Sequence, residues 1–338
     1  MLQCVVTRHG GPDVLRMQER ADPTPGEGEV RIRVRAAGVN FADVLARIGI
    51  YPDAPPPPCV VGYEVAGVVD EVGSGVAGFA TGERVTALTR FGGYSDLVVC
   101  PASQLFHTPE RLSDSEAAAI PVNYITAALA LYKMADLSAG ETVLVQNAGG
   151  GVGIAAVQLA RLRRAEVIGT ASAMKHDALR SFGVDHLIDY RKLNVEEEVK
   201  RITRGRGVDV ILDPIGGASF AAGYRMLAPL GRLVMFGVSE AVSGERRSLL
   251  RLAATWLKLP SFKPLSLISR NRGVFGLNIG HLWSEQRRIA PVVQSLANDF
   301  AAGRLKPVIA RTFPLEQAGE AHRYLQSRAN IGKVILTT

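Results

Sequence analysis

Asn147-Ala148-Gly149-Gly150-Gly151-Val152-Gly153 follows the short apolar run Glu141-Thr142-Val143-Leu144-Val145-Gln146 and leads into a helical pattern from Val152 to about Arg164. A strand, a glycine turn and a helix, in that order, form the setting in which a G-x-G-x-x-G turn cradles a dinucleotide pyrophosphate. Here the pattern reads Ala148-x-Gly150-x-x-Gly153, with Ala148 in the place of the first glycine. Gly150 and Gly151 let backbone N–H groups approach the phosphates, and Val152 opens the helix whose N-terminus adds partial positive charge. Gly153 lets that helix pack closely on the strand.

The rhythm continues outward from this turn. Strands are expected at Glu166–Thr170, His186–Ile188, Val208–Leu212 and Gly231–Gly237, with helical patterns between them and a sixth strand at Val274–Leu277. Strand–helix alternation of this kind predicts a parallel, doubly wound (Rossmann) sheet, an α/β fold. The first 120 or so residues read differently. Val30, Ile32 and Val34 alternate with Arg31, Arg33 and Arg35, and Gly62–Val69 and Arg84–Leu88 are further short strands between glycine turns. That pattern predicts a small twisted β-barrel. The prolines of Ala54-Pro55-Pro56-Pro57-Pro58 predict a stiff extended loop, since each fixes φ. Near the end, helices are expected at about Ile289–Ala302 and Leu315–Ser327, and a last strand at Lys333–Leu336.

Composition narrows the classes. A chain of 338 residues with 47% hydrophobic and 21% charged residues can bury a sizeable core, and its length suggests two domains. No stretch is apolar for long enough to span a bilayer, and the start shows no apolar leader, so a cytoplasmic protein is expected. Cys4, Cys59 and Cys100 match neither a disulfide framework nor a zinc spacing. The net charge of +7 favours anionic ligands. Arg246, Arg247, Arg251, Lys258, Lys263, Arg270 and Arg272 concentrate that charge among Leu249, Leu250, Leu252, Trp256 and Leu257. A solvated face is the plain reading of this stretch and an interaction surface the other.

The second strand indicates which dinucleotide. An NAD site places a carboxylate at its end to bind the ribose hydroxyls. This chain has Gly169-Thr170-Ala171-Ser172 there, then Lys175, with Tyr190-Arg191 after the third strand. Without the carboxylate nothing repels a 2′-phosphate, and Ser172, Lys175 and Tyr190 form a candidate pocket for it. NADPH is the expected cofactor.

Ala36-Ala37-Gly38-Val39-Asn40-Phe41-Ala42-Asp43, Gly62-Tyr63-Glu64-Val65-Ala66-Gly67, Gly82-Glu83-Arg84-Val85, Asn147–Gly153 and Asn330-Ile331-Gly332-Lys333-Val334 occur in this order. Together they resemble the landmarks of the medium-chain dehydrogenase/reductase superfamily over nearly the entire chain. Within it the chain is similar to the quinone oxidoreductase (ζ-crystallin) branch, and Arg272–Asn278 looks most like the vesicle amine transport protein 1 group. The resemblance implies a GroES-like catalytic domain at 1–122, completed by 279–338, and a Rossmann domain at 123–278. The superfamily's alcohol dehydrogenases hold zinc with a Cys near positions 41–43 and a His in Gly-His-Glu. This chain carries Phe41–Asp43 and Tyr63 there, so no metal site is expected.

Without a Lewis acid, the expected acceptor is a quinone or an α,β-unsaturated carbonyl. Related 2-enoyl reductases imply a tyrosine donor at Gly49-Ile50-Tyr51-Pro52, making Tyr51 the candidate, with Asn40 and Asp43 lining the same cleft. Asn40 could instead only orient the nicotinamide ribose. Thr126, Val152, Phe236, Gly237, Leu277, Asn278 and Asn330 resemble residues around the cofactor. The alternatives are a 2-enoyl thioester reductase and a largely non-catalytic NADPH-binding protein. A homodimer through Val274–Leu277 is expected, while neither nucleic acid nor a membrane is called for.

Overall fold

The computed structural model describes residues 1–242, 244–245 and 247–338, so Arg246 of the basic stretch lies outside the described residues, as do the side chains of Leu249, Arg251 and Gln286. The chain forms two compact units. The first begins with a hairpin that the sequence reading passed over, β1 (Leu2–Val6) against β2 (Leu15–Glu19). Next comes β3 (Glu29–Val39), whose Val30, Ile32 and Val34 are buried while Arg33 and Arg35 face water. Arg31 and Arg33 both bond Asp70, which gives the wet face a partner on the neighbouring strand. β3 pairs antiparallel with β4 (Glu64–Val72), and β4 with β5 (Arg84–Leu88). β6 (Leu97–Pro101) lies on β3 and β7 (Leu105–His107) on β5. Between β3 and β4 the helix Phe41–Ile48 ends at Gly49, whose φ of 78° is the left-handed cap that glycine adopts without strain.

The second unit is a six-stranded sheet. β8 (Thr142–Val145), β9 (Glu166–Thr170), β10 (His186–Ile188), β11 (Val208–Asp213), β12 (Leu227–Met235) and β13 (Gly273–Gly276) all pair in parallel. The order is β10-β9-β8-β11-β12-β13. The order reverses direction at β8, the switch point beside which such sheets bind ligands. Leu144, Ile168, Ile188, Ile211 and Leu233 are sealed in its core.

The chain then returns to the first unit at Glu285, a few residues past the expected 279, and Gly244 and Glu245 also belong to that unit. The helix Gln286–Ala301 precedes β14 (Ile309–Pro314), and the helix Ala318–Gln326 precedes β15 (Lys333–Thr337). β15 pairs with β3, so the last strand of the chain joins the sheet of β3, β4 and β5. Val334 and Leu336 join Val30, Ile32 and Val65 in its core. No helix is long and apolar enough to cross a membrane, among the described residues.

Candidate active site

The glycine turn sits at the C-terminal end of β8, where its sequence placed it. Thr170 fastens it from the neighbouring strand: its hydroxyl accepts from the Asn147 N–H at 3.0 Å and its carbonyl from the Ala148 N–H at 3.0 Å. Gly150 then caps the helix Gly151–Leu162, accepting the first helical bond from Ile154 at 2.9 Å. The packing leaves no room for side chains. A methyl group on Gly151 would lie 2.6 Å from the Asn123 amide, one on Gly149 would lie 2.8 Å from Lys175 Cδ, and one on Gly153 would strike the Asn147 and Ala148 carbonyls. This cradle of bare backbone at a 12-residue helix's N-terminus fits a pyrophosphate.

Lys175 is buried rather than a surface residue, and its aliphatic stem lies along Gly149. Ser172, also buried, accepts the Lys175 backbone N–H at 2.9 Å. The Thr170 hydroxyl is spent on Gln146 and Asn147, and Thr170, Ala171 and Ser172 at the end of β9 carry no carboxylate. Tyr190 stands exposed just beyond β10. Thr126 is buried and Val152 half-buried at the helix start. Phe236 and Gly237 follow β12, the Phe236 N–H donating to Asp213 at 3.1 Å and Gly237 packing on Pro214. Leu277 extends the β13 ladder by donating to Met235 at 2.9 Å, and Asn278 caps the next turn through Gly280 at 2.9 Å.

The first unit carries the polar candidates, and here the structure corrects the reading. Asp43 lines no cleft: it is fully buried and both its oxygens are occupied. Oδ2 accepts from the Asn40 N–H at 2.7 Å and the Tyr94 hydroxyl at 3.1 Å, and Oδ1 accepts from the Gly62 N–H at 3.0 Å. Asp43 thus closes the first turn of its helix and ties it to the start of β4. Burial pushes its carboxyl up to about 7, against the pull of the Asn40 amide, Lys333, Tyr94 and Gly62. It is a positioning residue.

The chain of contacts runs on. Tyr94 and His322 Nε2 meet at 3.0 Å, and Arg47 approaches His322 Nδ1 at 3.3 Å. Arg47 has only donors, so Nδ1 accepts, Nε2–H donates to Tyr94, and the tyrosine hydrogen is left for Asp43. Burial, and then Arg47, hold His322 well below the usual imidazole range, consistent with a neutral ring. Burial pulls Arg47 itself down to about 10, and its Nη2 is taken by Glu245 O at 3.1 Å and Gln326 Oε1 at 3.0 Å.

Asn40, the residue at the head of the helix, turns its amide away from it. Nδ2 donates to Glu64 Oε1 at 2.8 Å, and Oδ1 accepts from Lys333 Nζ at 2.6 Å. Lys333 and Glu64 are themselves paired, both almost wholly buried, and Glu64 Oε2 takes the Val122 N–H at 2.7 Å. A side chain at Gly38 would strike the Glu64 carboxylate. The amide orientation of Asn40 is therefore imposed. Asn330 is buried and donates to Gly332 O at 2.9 Å, closing the turn before β15.

Tyr51 is half-buried and sits edge-on to Tyr63, with centroids 6.0 Å apart, and Tyr63 in turn packs on Phe91 at 5.0 Å. The Tyr63 hydroxyl is sealed from solvent and makes no hydrogen bond. Such an unmet group costs about 1–3 kcal/mol. Glu64, Tyr94, His322, Arg47 and Lys333 were not candidates on sequence. Among the described residues no three His, Cys, Asp or Glu side chains come together as metal ligands would.

Against this geometry, the comparisons with known proteins agree in outline. A zinc-binding dehydrogenase family model matches residues 182–336, and an alcohol dehydrogenase GroES-like domain model matches residues 26–110. The human synaptic vesicle membrane protein VAT-1 homolog is 43% identical over 99% of this chain and 86% of its own. Escherichia coli quinone oxidoreductase, solved with NADPH, superposes with a TM-score of 0.89 at 29% identity over 100% of both chains. The CurK enoyl reductase does so at 0.86 and 29%, over 99% of this chain and 98% of that one. The first of these likenesses spans nearly the whole sequence at an identity well above what fold alone would give, and the chain belongs to the medium-chain dehydrogenase/reductase family, with the VAT-1 homologues among its relatives.

Proposed function

We propose that this protein is an NADPH-dependent oxidoreductase that transfers hydride, without a metal ion, to a quinone or an α,β-unsaturated carbonyl. The observation that carries the reading is the end of β9. Thr170 there is consumed by the turn, no carboxylate follows, and Lys175 lies buried along Gly149. A 2′-phosphate meets a cation there instead of a repelling acid. The NADPH of the quinone oxidoreductase structure supports the same cofactor.

Bound NADPH would supply the hydride. The glycine turn holds its pyrophosphate, and Ser172, Lys175 and Tyr190 meet the phosphate that NADH lacks. The Tyr51 phenol stabilises the charge that develops on the acceptor oxygen and gives it a proton. Asn40 presents an amide whose orientation is held by Lys333 and Glu64. Asp43 sets where the Asn40 backbone and Gly62 stand. The proposal is of a cytoplasmic homodimer. A 2-enoyl thioester reductase is the second reading, supported by the likeness to CurK, and needs the same residues.

The test is a titration of the cofactor-free protein with NADPH and NADH, then a screen of quinones, enals and enoyl thioesters. NADPH should bind at least tenfold more tightly, about 1.4 kcal/mol. Lys175→Ala should abolish that preference while leaving NADH binding unchanged. Equal affinities in the wild type would remove Lys175 and Tyr190 from a phosphate pocket, and oxidation of NADPH by no acceptor would sink the redox reading.

A further inference from the structure

Among the described residues of the first unit, Arg47 Nε and the Tyr63 hydroxyl are buried polar groups without a hydrogen bond, and of the two only Tyr63 stands beside Tyr51. Tyr63 is 7% exposed and its oxygen is unbonded, although a phenylalanine ring would fill the same space without that cost. Its backbone has no freedom to turn the ring elsewhere. The Tyr63 carbonyl accepts from the Thr89 N–H at 2.7 Å, the Gly62 carbonyl from the Thr89 hydroxyl at 2.8 Å, and the Gly62 N–H is held by Asp43. Gly62 sits at φ +107°, where any side chain would run into Gly93 and Tyr94. Tyr51 packs against the ring at 79° and Phe91 at 53°. Burial keeps the phenol far above its ordinary range, with the Tyr51 phenol adding to the effect, so it remains a donor throughout the neutral range. Two phenols thus share one aromatic cluster, in which the Tyr51 phenol acts on Tyr63 but the Tyr63 hydroxyl makes no hydrogen bond of ordinary geometry.

We infer that Tyr63 is a second donor, beside Tyr51, to the carbonyl oxygen of the acceptor, and that the unmet hydroxyl is held in reserve for that oxygen. The inference deepens the reading above and rests on it for the acceptor class. A carbonyl oxygen has two lone pairs and accepts two phenolic donors, as an oxyanion hole requires. A donor kept unbonded in the free protein is met only when acceptor arrives, so its contribution falls on acceptor binding and not on NADPH.

Tyr63→Phe tests this with two readouts. The probe is duroquinone, whose fully substituted ring resists addition of the half-buried Cys59 thiol. Its Kd, measured by equilibrium dialysis without NADPH, should rise at least fivefold in Tyr63→Phe, while NADPH affinity stays within twofold. The melting temperature of the variant should be equal to or above that of the wild type, because removing an unmet hydroxyl relieves a cost. An unchanged duroquinone Kd, or no duroquinone binding by the wild type, would overturn the inference. So would a fall of several degrees in melting temperature, since it would mean that the hydroxyl already has a partner inside the protein. Wild-type duroquinone binding that depends on Tyr63 but brings no NADPH oxidation would sink the redox reading alone and leave this inference standing.

Discussion

Lys333 and Asn40, 293 positions apart in the sequence, meet at 2.6 Å through Nζ and Oδ1. The antiparallel pairing of β15 with β3 makes this possible, for Val334 lies opposite Val39. Lys333 also neutralises Glu64, so a charged pair sealed from water fixes which way the Asn40 amide points. A pair of this kind adds little net stability, but removing one member is expensive.

Lys333→Met should therefore destabilise the protein by about 3–5 kcal/mol, because Glu64 is left as a buried, unpaired charge. Lys333→Met combined with Glu64→Gln should recover at least half of that loss. Urea unfolding of the wild type and both variants measures the difference. A single variant as stable as the wild type would mean that the pair is solvated and does not hold Asn40.

Asp43 gives a pH signature whose sign follows from its burial. Its folded-state pKa, raised from 3.8 to about 7, exceeds that of the unfolded chain, so the folded state binds the proton more tightly. The contribution is fully present below pH 4 and is lost as pH rises through about 7. His322 acts in the opposite direction, its depressed pKa costing stability as pH falls below the imidazole range. Comparing Asp43→Asn with the wild type cancels the His322 contribution. Relative to the variant, the wild type should lose stability steadily between pH 4 and 7. Parallel stability curves over that interval would show that Asp43 stays ionised in the folded protein.

The sequence was most legible where structure is local. The turn Asn147–Gly153 lies within a single strand–turn–helix unit, so its glycines and its Thr170 neighbour could be placed from spacing. Strands β9 and β10 kept their expected limits for the same reason. Asp43 was misread because its three partners, Asn40, Gly62 and Tyr94, come from three separate segments. The one local sign was there, a polar residue at Asn40 followed three positions later by an acid and closed by Gly49. Arg47 and Lys333 look like surface residues in sequence, and only the fold shows that both are buried.

Tyr51→Phe should lower turnover by about 10²–10³-fold, the usual loss when one donor aimed at developing charge is removed. NADPH affinity should not change, because the proposed role of Tyr51 is toward the reacting acceptor alone. Steady-state rates with a quinone, together with a cofactor titration, check both halves. If Tyr63 is a second donor to the same oxygen, Tyr51→Phe combined with Tyr63→Phe should cost a different factor from the product of the single losses. A loss below about threefold in the Tyr51 variant would assign the proton to solvent.

The last prediction concerns assembly. β13 occupies the edge of the six-stranded sheet, pairing with β12 on one side only. The Leu277 N–H donates inward to Met235, so by the two-residue period of a strand Phe275 also faces β12, and Val274 and Gly276 direct their N–H and C=O groups outward. Neither charge nor proline guards this edge, and Leu250, Trp256 and Leu257 stand exposed on a helix of the same unit. An antiparallel match of β13 with its copy about a two-fold axis would satisfy both edges and extend the sheet across two chains. Light scattering should then give about twice 36.2 kDa. Val274→Pro is the discriminating variant, since it deletes an outward donor that the subunit's own sheet does not use, whereas proline at Phe275 would damage the sheet itself. The variant should be monomeric, with the wild type's circular dichroism and NADPH affinity. A wild type that remains monomeric at micromolar concentration, or a Val274→Pro variant that remains dimeric, would show that this edge is not the interface.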